Sequence, residues 1–569
     1  MPGIVGFTNS SILPEARAEI IHKMQDLVTH REFYVKDPAY IDRNISCARA
    51  HINVIQKEPQ PFHKAGIYVW IDGEFYNQKE LGVIKENVSD AEILADYYIN
   101  DNELSFLKLL DGIYSAVVYD SVKDKVYLIT DRYGLRHIYW ASINCDFIWC
   151  SEAKALLAHP GFIPRINMES VKEFLSFGYL LENRTWFDGA ELLPSGTILS
   201  YDLRTKSISK NRYWWWDEIP EPQSKCDEKA TIDELERLFV NAVSLRCRRN
   251  EKIGLTLSGG LDSRAIMAAL PDYVKSAPVV TFGKVGCDDI KIAAQACKVK
   301  GLKHYIYDIN KNNWLHLRVE GVWWTDGLKN LQHMHGLTGI EDTRGIFDIN
   351  LDGLAGDALI GGSYANNKIL SPVEVWDYRV RRFTVMGQIM REKYLQQRFP
   401  FYDNKFVEFA LAIPLSLRKN SYIYKKMLLH AFPALFNTIP WQKTGFPISY
   451  PTVITRSSNI IKRINNRICR AISPSKYAIL YSGRNEFYTD YPNWLRQEPA
   501  RSFLIKLLKD KQSLYCDYIE RKQVMSDMEA HFMGRDRTEI ICLYLTFEIW
   551  LRQVYNKEYR EGYDVEGNI

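Results

Sequence analysis

The first two hundred residues alternate between short runs of β-branched or aromatic residues and turns rich in Gly, Asp and Asn. Such runs are typical of strands in antiparallel sheets, because branched and aromatic side chains pack well on a pleated surface. A further apolar run, MPGIVGF, predicts a strand that begins near residue 3. Helical patterns lie near 90–99 and 168–178. The other strands are predicted at 66–77, 114–120, 125–131, 147–152 and 197–203.

The pattern changes after Tyr213. Residues 217–230 contain two prolines and many charges, which is typical of a linker. Beyond it, helices and strands alternate, and this order indicates a parallel, doubly wound sheet. The sequence therefore predicts an α+β domain at 1–215 and an α/β domain at 229–569. The alternating elements are a helix at 230–249, a strand at 252–257, a helix at 263–270, a strand at 277–283, a helix at 289–300 and a strand at 304–309.

Composition limits the class of protein. Of 569 residues, 46% are hydrophobic and 25% charged, and a net charge of +4 does not call for a polyanionic partner such as nucleic acid. The ten cysteines include no C-x-x-C pair, which argues against a zinc ribbon or a disulfide framework. The chain also lacks a signal-peptide pattern and a window with the roughly 18 apolar residues of a membrane span. We expect a cytoplasmic protein that binds neither nucleic acid nor a membrane.

The stretch LSGGLDS, Leu257–Ser263, is called the glycine loop below. It follows the first strand of the alternating region, and open α/β sheets bind ligands at the carboxyl ends of their strands. Gly259 and Gly260 let the main chain approach an anion closely, and the start of the next helix directs N–H groups at it. Ser258 and Ser263 can donate hydrogen bonds to phosphate oxygens. The loop is predicted to bind the phosphates of a nucleotide.

A carboxylate within this loop, Asp262, implies Mg²⁺ between itself and the phosphates. The loop lacks the lysine of G-x-x-x-x-G-K-[ST], which reaches the β and γ phosphates. A loop of this kind suits attack at the α phosphorus, which forms an acyl-adenylate and pyrophosphate. The glycine-rich stretch 353–364 has a single acid, Asp357, as a second metal-ligand candidate. Lys443, in WQKTGF, is a candidate for stabilising charge that develops on the reacting phosphate.

Together these segments resemble the asparagine synthetase superfamily over nearly the whole chain. The N-terminal half resembles a class II glutamine amidotransferase, an Ntn-type antiparallel β-sandwich with helices, in DGEFYN, DGIYSAVVYD, TDRYGLRHIYW, SEAKALL and LPSGTILS. The C-terminal half resembles a PP-loop synthetase domain, in LSGGLDS, TFG, DDIKIAAQ, AGD, RFPFYD and Lys443. The resemblance implies Mg²⁺ at Asp262 and Asp357. It implies that ATP and pyrophosphate are bound by Leu257, Ser258, Gly259, Gly260, Asp262, Ser263, Thr281, Phe282, Gly283 and Gly356.

Three departures from the family patterns bear on function. Active glutaminases of this type expose an N-terminal cysteine whose thiol attacks glutamine, and this chain has Pro2 in that place. Asparagine-forming relatives carry a glutamate, and β-lactam-forming relatives a tyrosine, where this chain has Leu354. Arg264 replaces a serine of asparagine synthetases and is similar to the residue in lasso peptide cyclases, which also lack the N-terminal nucleophile.

By this resemblance we expect an ATP-dependent lasso peptide cyclase. It would adenylate an Asp or Glu side chain of a precursor peptide and join it to the peptide's N-terminal amine as a macrolactam. A leader-removing peptidase is then the expected partner, because the attacking amine must first be freed. Lys443 and Arg264 are predicted to be catalytic. His333 and His335 are candidate bases for the amine, with packed or solvent-facing histidines as the alternative.

Two other functions remain open from the sequence. The first is a glutamine-independent amide synthetase of the asparagine or β-lactam synthetase type, which acts on a small acid. The second is a catalytically degenerate scaffold that binds a peptide. Retention of Asp262, Asp357 and Lys443 argues against the scaffold, because a scaffold has no need of paired metal ligands.

Overall fold

The computed structural model describes two compact units. The first consists of Met1–Ile219, Trp324–Leu328 and Leu370–Gln396, and the second of Pro220–Trp323, Lys329–Ile369 and Gln397–Ile569. Two stretches that the predicted boundaries assign to the second domain therefore belong to the first unit. The described residues are 3–83, 88–101, 104–143, 146–221, 226–274, 276–363, 371–451 and 487–556.

The first unit contains two antiparallel sheets. One has the order β11-β9-β10-β1-β4-β2, with β3 also paired to β4, and the other has the order β13-β12-β8-β7-β6-β5. The strands are β1 (Gly3–Thr8), β2 (Val35–Lys36), β3 (Tyr40–Ile41), β4 (Ile45–His51), β5 (Phe62–Lys64), β6 (Ile67–Phe75), β7 (Gly112–Asp120), β8 (Lys125–Thr130), β9 (Tyr139–Ile143), β10 (Asp146–Cys150), β11 (Ala190–Leu192), β12 (Thr197–Asp202) and β13 (Ile208–Arg212).

One hydrophobic core joins the inner faces of these two sheets. Because alternate residues of a strand face the same side, each strand contributes every second side chain. The sheets therefore pack as a sandwich, which confirms the predicted fold of the N-terminal half and all five of its main strands. The core residues are Ile4, Ile45, Cys47, Trp70, Val117, Tyr119, Val126, Leu128, Ile138, Trp140, Phe147, Trp149, Leu193, Leu199 and Tyr201.

The opening strand β1 is buried along its whole length, between β4 and β10. Gly6 is required there because the indole of Trp149, its register partner on β10, crosses directly over it. A Cβ at Gly6 would lie 2.4 Å from that ring and 2.8 Å from the carbonyl oxygen of Ser46. The predicted terminal strand is thus confirmed as a central strand. Pro2 lies outside the described residues.

Buried ion pairs hold the two later stretches in the first unit. The carboxylate of Glu152 accepts hydrogen bonds from Lys154, Lys393 and His30, and the Lys154 ammonium also lies 3.2 Å from Asp326. All five side chains are at most 5% exposed. A buried charge is strongly destabilising when it lacks a partner, so these pairs require residues 324–328 and 370–396 to be in place.

The second unit is built on a five-stranded sheet with the order β16-β15-β14-β17-β18. The pairs of β14 with β15, β14 with β17 and β15 with β16 are parallel, which confirms the predicted parallel sheet. Its first three strands lie where the sequence predicts them. The strands are β14 (Ile253–Thr256), β15 (Val279–Gly283), β16 (His304–Asp308), β17 (Ile349–Leu351) and β18 (Gln396–Arg398).

Helices lie between and after these strands along the chain, and a capping side chain sets the start of some of them. The helix predicted from 230 begins at Glu228 instead, because the Asp227 side chain accepts hydrogen bonds from the N–H groups of Lys229 and Ala230. The described α-helices are α1 (Pro14–Leu27), α2 (Asp90–Asn100), α3 (Met168–Phe177), α4 (Glu228–Leu245), α5 (Asp262–Ala268), α6 (Asp288–Lys300), α7 (Arg318–Trp324), α8 (Ile340–Ile346), α9 (Gly356–Leu359), α10 (Pro372–Glu374), α11 (Val385–Arg391), α12 (Asn404–Ala412), α13 (Leu415–Arg418), α14 (Tyr422–Ala431), α15 (Pro433–Phe436), α16 (Tyr491–Trp494), α17 (Ala500–Leu508), α18 (Arg521–Phe532) and α19 (Thr538–Trp550).

Shorter helical turns complete the secondary structure. They are 3-10 helices at Ser105–Leu109, Ala153–Ala158, Trp216–Glu218, Asp272–Val274, Leu331–His333, His335–Leu337, Pro400–Tyr402, Lys419–Ser421 and Leu514–Asp517, and π-helices at Val375–Thr384 and Leu551–Tyr555. Among the helices of the described ranges, none has both the length and the hydropathy needed to cross a bilayer.

His30 makes the stability of the first unit depend on pH. Burial lowers the pKa of His30 well below 6.5, so the folded state keeps the ring neutral while the unfolded chain binds a proton. Stability therefore falls as the pH drops below about 6.5. Between pH 7 and 5.5 we expect the free energy of unfolding to decrease by about 1 kcal/mol more in the wild type than in His30→Gln. Urea denaturation followed by tryptophan fluorescence measures this difference, and equal pH slopes would contradict it.

Candidate active site

The glycine loop lies at the point where the strand order of the second unit reverses. It follows β14, and the stretch that carries Asp357 follows β17, the neighbouring parallel strand. Along the chain, β14 is the first strand of this sheet and β17 the fourth, and they lie on either side of the switch. Ligands of open α/β sheets bind in the crevice at such a switch point, beyond the carboxyl ends of the strands.

The two serine hydroxyls of the glycine loop lie together. The oxygen atoms of Ser258 and Ser263 are 3.2 Å apart, and the Ser258 N–H donates to the Ser263 hydroxyl at 3.2 Å. The N–H of Gly260 donates to the Ser258 hydroxyl, also at 3.2 Å. Ser258 is exposed and Ser263 partly exposed, so both hydroxyls can turn toward a phosphate.

Gly259 is the most tightly enclosed residue of the loop. Its N–H donates to the carboxylate of Asp289 at 2.8 Å, and its carbonyl accepts from the N–H of Gln442 at 3.1 Å. A Cβ at this position would lie 2.7 Å from the Gln442 Cβ. Asp289, whose pKa is raised by burial, is a residue that sequence reasoning missed. Asp289 lies in the motif DDIKIAAQ, but the sequence alone does not show that its carboxylate bonds to Gly259.

Asp262 and Asp357 meet at the start of α9. The main-chain N–H of Asp357 donates to one oxygen of the Asp262 carboxylate at 2.9 Å, and the hydroxyl of Tyr424 donates to the other at 3.0 Å. Gly356 is required by this contact, because a Cβ there would lie 2.5 Å from the Asp262 carboxyl carbon. Tyr424, 1% exposed on α14, is a second residue that the sequence did not predict.

The electrostatics of this pair favour a cation. Burial and the charge of Asp357 raise the pKa of Asp262 to about 7, against the opposing hydrogen bonds from Asp357 and Tyr424. Mg²⁺ is commonly held by one or two carboxylates together with substrate phosphates. Across the described ranges, no group of three or more His, Cys, Asp or Glu side chains could hold a metal by itself. Two carboxylates beside the glycine loop, which is predicted to bind phosphates, therefore fit Mg²⁺ bound with a nucleotide.

Residues Trp441–Phe446, called the lysine loop below, lie against the glycine loop. The N–H of Trp441 donates to the Phe446 carbonyl at 2.9 Å, which closes the turn, and Gln442 bonds to Gly259 as described. Lys443 is exposed, with its ammonium 5.1 Å from the centre of the Trp441 ring. The ammonium of Lys425 lies 5.8 Å from the same ring. The structure thus places Lys443, a predicted catalytic residue, directly after Gln442, which bonds to the glycine loop.

Thr281, Phe282 and Gly283, which are predicted to bind ATP, end strand β15. The hydroxyl of Thr281 donates to the carbonyl of Leu257 at 2.8 Å and lies 2.9 Å from His304, so it fastens β15 to the start of the glycine loop. Phe282 is partly exposed. A Cβ at Gly283 would meet the Cys287 sulfur at 2.8 Å, and backbone and side-chain atoms of Tyr488 lie beyond it.

The two candidate histidines lie with other elements. His333 Nε2 is 3.0 Å from both carboxylate oxygens of Glu539 on α19. His335 Nδ1 is 3.0 Å from the hydroxyl of Tyr491, on whose ring it stacks. Its ring also packs edge-on against Tyr488, behind Gly283. These contacts make both histidines parts of the packing around α16 and α19, and their role as bases stays a prediction.

Arg264 is 1% exposed and contacts the segment that precedes the lysine loop. Its Nη1 donates to the carbonyls of Leu435 and Ile439 at 3.4 and 3.2 Å, and its guanidinium lies 5.0 Å from the centre of the Phe436 ring. Burial lowers the pKa of Arg264 to about 10, so the group stays charged at neutral pH. These contacts do not match a group that touches substrate, and the predicted direct catalytic role stays untested.

Gly356→Ala tests the packing of the carboxylate pair. The added methyl group would displace the Asp262 carboxylate, and we expect the rate of AMP formation from ATP to fall at least tenfold. Gly345→Ala is the matched control, since a Cβ at Gly345, inside α8, meets nothing within 4 Å. That change should leave the rate unchanged and stabilise α8 by about 1 kcal/mol, because Ala is the better helix former. Equal rates for the two variants would show that a Cβ at position 356 does not displace the Asp262 carboxylate.

Tyr424→Phe tests the hydroxyl that holds Asp262. The change removes one donor and keeps the ring, so we expect weaker binding of Mn²⁺, used as a probe for Mg²⁺, in the presence of ATP. Electron paramagnetic resonance measures this affinity without any turnover. Tyr422→Phe, an exposed tyrosine on the same helix that bonds Glu228, should bind Mn²⁺ as the wild type does. Unchanged affinity in Tyr424→Phe would show that its hydroxyl does not support the metal site.

Comparison with known proteins places this geometry in a family. A model described as Asparagine synthase matches residues 234–397 and 382–552, and a model described as Glutamine amidotransferase domain matches residues 1–214. The Glutamine amidotransferase domain match covers the sandwich of the first unit. The Asparagine synthase match covers the glycine loop, Asp262, Asp357 and the lysine loop.

Several relatives are asparagine synthetases by name. A Methanocaldococcus jannaschii protein named as a second glutamine-hydrolyzing asparagine synthetase is 27% identical over 273 residues, 44% of this chain and 52% of its own. Glutamine-hydrolyzing asparagine synthetase 2 of Bacillus subtilis is 27% identical over 286 residues, 47% of this chain and 38% of its own. For the Homo sapiens enzyme, identity is 26% over 403 residues, 64% of this chain and 68% of its own. The chain spans about half the length of the first relative and less of the second. Because the Asparagine synthase model spans more than half of the chain, this protein belongs to the asparagine synthase family.

Proposed function

We propose that the protein is an ATP-dependent, AMP-forming ligase that makes an amide bond. The observation that carries this proposal is the meeting of Asp262 and Asp357 beside the glycine loop, at the switch point of the parallel sheet. A loop that binds phosphates next to a carboxylate pair suits a reaction in which pyrophosphate leaves. Lys443, on the loop bonded to Gly259, supplies a positive charge at the same edge.

In the proposed reaction a carboxylate oxygen of the substrate attacks the α phosphorus of ATP. The bond to the β-phosphate oxygen breaks, and pyrophosphate leaves. Asp262 and Asp357 would hold Mg²⁺, which neutralises phosphate charge when it is bound. The hydroxyls of Ser258 and Ser263 can donate to pyrophosphate oxygens, and Lys443 stabilises the charge that develops on the phosphate. An amine then attacks the acyl carbon, AMP leaves with the bonding electrons, and the amine gives up a proton.

We further propose that the substrate is a ribosomal peptide and that its own N-terminal amine closes the ring, as in a lasso peptide cyclase. Pro2 stands in place of the nucleophilic cysteine of the family and brings no thiol, so nitrogen must arrive by a route other than glutamine hydrolysis. Leu354 is 4% exposed and has no polar group, unlike the glutamate or tyrosine of relatives that act on small acids. Arg264, where asparagine synthetases have a serine, is similar to the residue in lasso peptide cyclases.

The energetics are compatible with this substrate. Closing a ring of roughly eight residues costs about 2 kcal/mol in chain entropy, which is small beside the free energy supplied by ATP. The harder requirement is to hold the amine in position for attack, and such positioning can contribute several kcal/mol. A leader-removing peptidase is the expected partner under this proposal, because it frees the amine.

The test is to incubate the full chain with ATP, Mg²⁺ and a candidate peptide whose leader has been removed. We expect AMP, pyrophosphate and a product lighter by one water. Asp262→Ala and Lys443→Ala should each lower the rate by about 100-fold or more, as removal of one charge-stabilising group commonly does. Liquid chromatography with mass spectrometry measures product and nucleotide together.

Lys426→Ala is the matched control for Lys443→Ala. Its ammonium is exposed and lies 3.9 Å from Glu228, and we expect the wild-type rate. If the peptide stays linear while aspartate and ammonia release AMP, the protein is instead an amide synthetase for a small acid. If no carboxylate substrate releases AMP, the scaffold function is favoured and the ligase proposal fails.

A further inference from the structure

Arg264 connects two parts of the candidate active site that are far apart in the sequence. It lies in the first turn of α5, two residues after Asp262, and its Nη1 donates to the carbonyls of Leu435 and Ile439. The segment that receives these bonds begins in α15 and leads directly into the lysine loop. One charged side chain therefore holds the helix that follows the glycine loop to the stretch that precedes Lys443.

The lysine loop has a second attachment close by. The N–H of Gln442 donates to the carbonyl of Gly259 at 3.1 Å. Between this bond and the carbonyl of Ile439 lie only two residues, one of which is the aromatic residue beneath the Lys443 ammonium. Arg264 holds the carbonyl of Ile439, and Gly259 holds the N–H of Gln442. The main chain from Ile439 to Gln442 is therefore fixed at both ends and has little conformational freedom.

The chemistry of the contact suits a fixed attachment. A guanidinium is planar and stays charged, and hydrogen bonds from a charged donor are stronger than neutral ones. Its plane lies 5.0 Å from the centre of the Phe436 ring, which holds it from a second direction. Within the described residues, Nε and Nη2 have no hydrogen-bond partner. The two carbonyl bonds are therefore the main directional contacts of a side chain that is 1% exposed.

We propose that Arg264 is a positioning residue that sets the place of Lys443 relative to the glycine loop. It acts through main-chain carbonyls and does not touch the substrate, which revises its predicted catalytic role. This inference rests on the proposed function, in which Lys443 stabilises the reacting phosphate. A displacement of about 1 Å in such a group can lower a rate by on the order of 100-fold, so an anchor at the carbonyl of Ile439, four residues before Lys443, affects turnover.

The experiment compares Arg264→Met, Arg264→Lys, Lys443→Ala and the double variant Arg264→Met/Lys443→Ala. We expect Arg264→Met to lower kcat on the order of 10- to 100-fold, with the KM for ATP changed less than threefold. Arg264→Lys keeps a charged donor and should retain more activity. Because Arg264 acts through Lys443, the double variant should be no slower than Lys443→Ala by more than about twofold. A rate equal to the product of the two single effects would overturn the proposal.

Arg496→Met is the control for general loss of stability. Arg496 also donates to two main-chain carbonyls, those of His531 and Pro492, and also has an unpartnered Nη2 among the described atoms. Its contacts lie among the C-terminal helices, so its loss should lower Tm without a selective loss of kcat. If both arginine variants lose kcat in proportion to Tm, Arg264 has only a structural role.

Hydrogen exchange separates this proposal from the proposed function. In the ligand-free protein, peptides that contain Gln442 should exchange faster in Arg264→Met than in the wild type or Arg496→Met, because the bond to Gly259 is less well held. Faster exchange in a protein that turns over no substrate would support the anchor and reject the ligase function. Unchanged exchange at Gln442, with activity present in the wild type, would overturn the anchor alone.

Discussion

The carboxylate of Asp262 is the constraint on which the candidate active site depends. Neighbouring parallel strands deliver the glycine loop and Asp357 to the same edge of the sheet, and the Asp357 N–H then bonds to Asp262. The approach is so close that position 356 has no room for a Cβ. Burial and the nearby charge of Asp357 both raise the pKa of Asp262, and a cation with a phosphate ligand would stabilise the ionised carboxylate there.

The first unit is organised by a different constraint, the pairing of buried charges. Glu152, Lys154 and Lys393 are almost fully inaccessible to water, and each depends on the others for compensation. Arg136 is similarly enclosed, with Asp72 and Glu392 as partners. Such pairs add little net stability, but removing one partner is strongly destabilising. They therefore specify which stretches of chain complete the sandwich.

Membership of the asparagine synthase family says more about the type of reaction than about the substrate. The asparagine synthase match covers the glycine loop, Asp262, Asp357 and Lys443, which are the parts that we propose act on ATP. A fold can serve many substrates, because the acceptor is chosen by a few side chains around a common reaction. Leu354 and Arg264 are positions at which this chain departs from the asparagine synthetase pattern. The peptide substrate is accordingly a proposal drawn from these departures.

The sequence by itself determined six strands of the sandwich, the first three strands of the parallel sheet and the helices between those three, and it predicted a site at the end of the first parallel strand. Alternating strand patterns specify the antiparallel sheets, helix and strand alternation specifies the parallel sheet, and a glycine loop at a strand end marks the crevice, since all of these are local patterns. The sequence also shows a glycine at position 6 of the opening strand. The residue that requires a glycine there, Trp149, is distant in the sequence.

Only the tertiary structure decided which partners the polar groups have. It paired the carboxylate of Asp289 with the N–H of Gly259, and the hydroxyl of Tyr424 with the carboxylate of Asp262. It brought the guanidinium of Arg264 to two main-chain carbonyls and the ring of His335 to the hydroxyl of Tyr491. It also placed residues 324–328 and 370–396 in the first unit, against the predicted boundaries. The physical reason is the same in each case. A buried polar group must find a partner, and packing between distant segments determines which one is within reach.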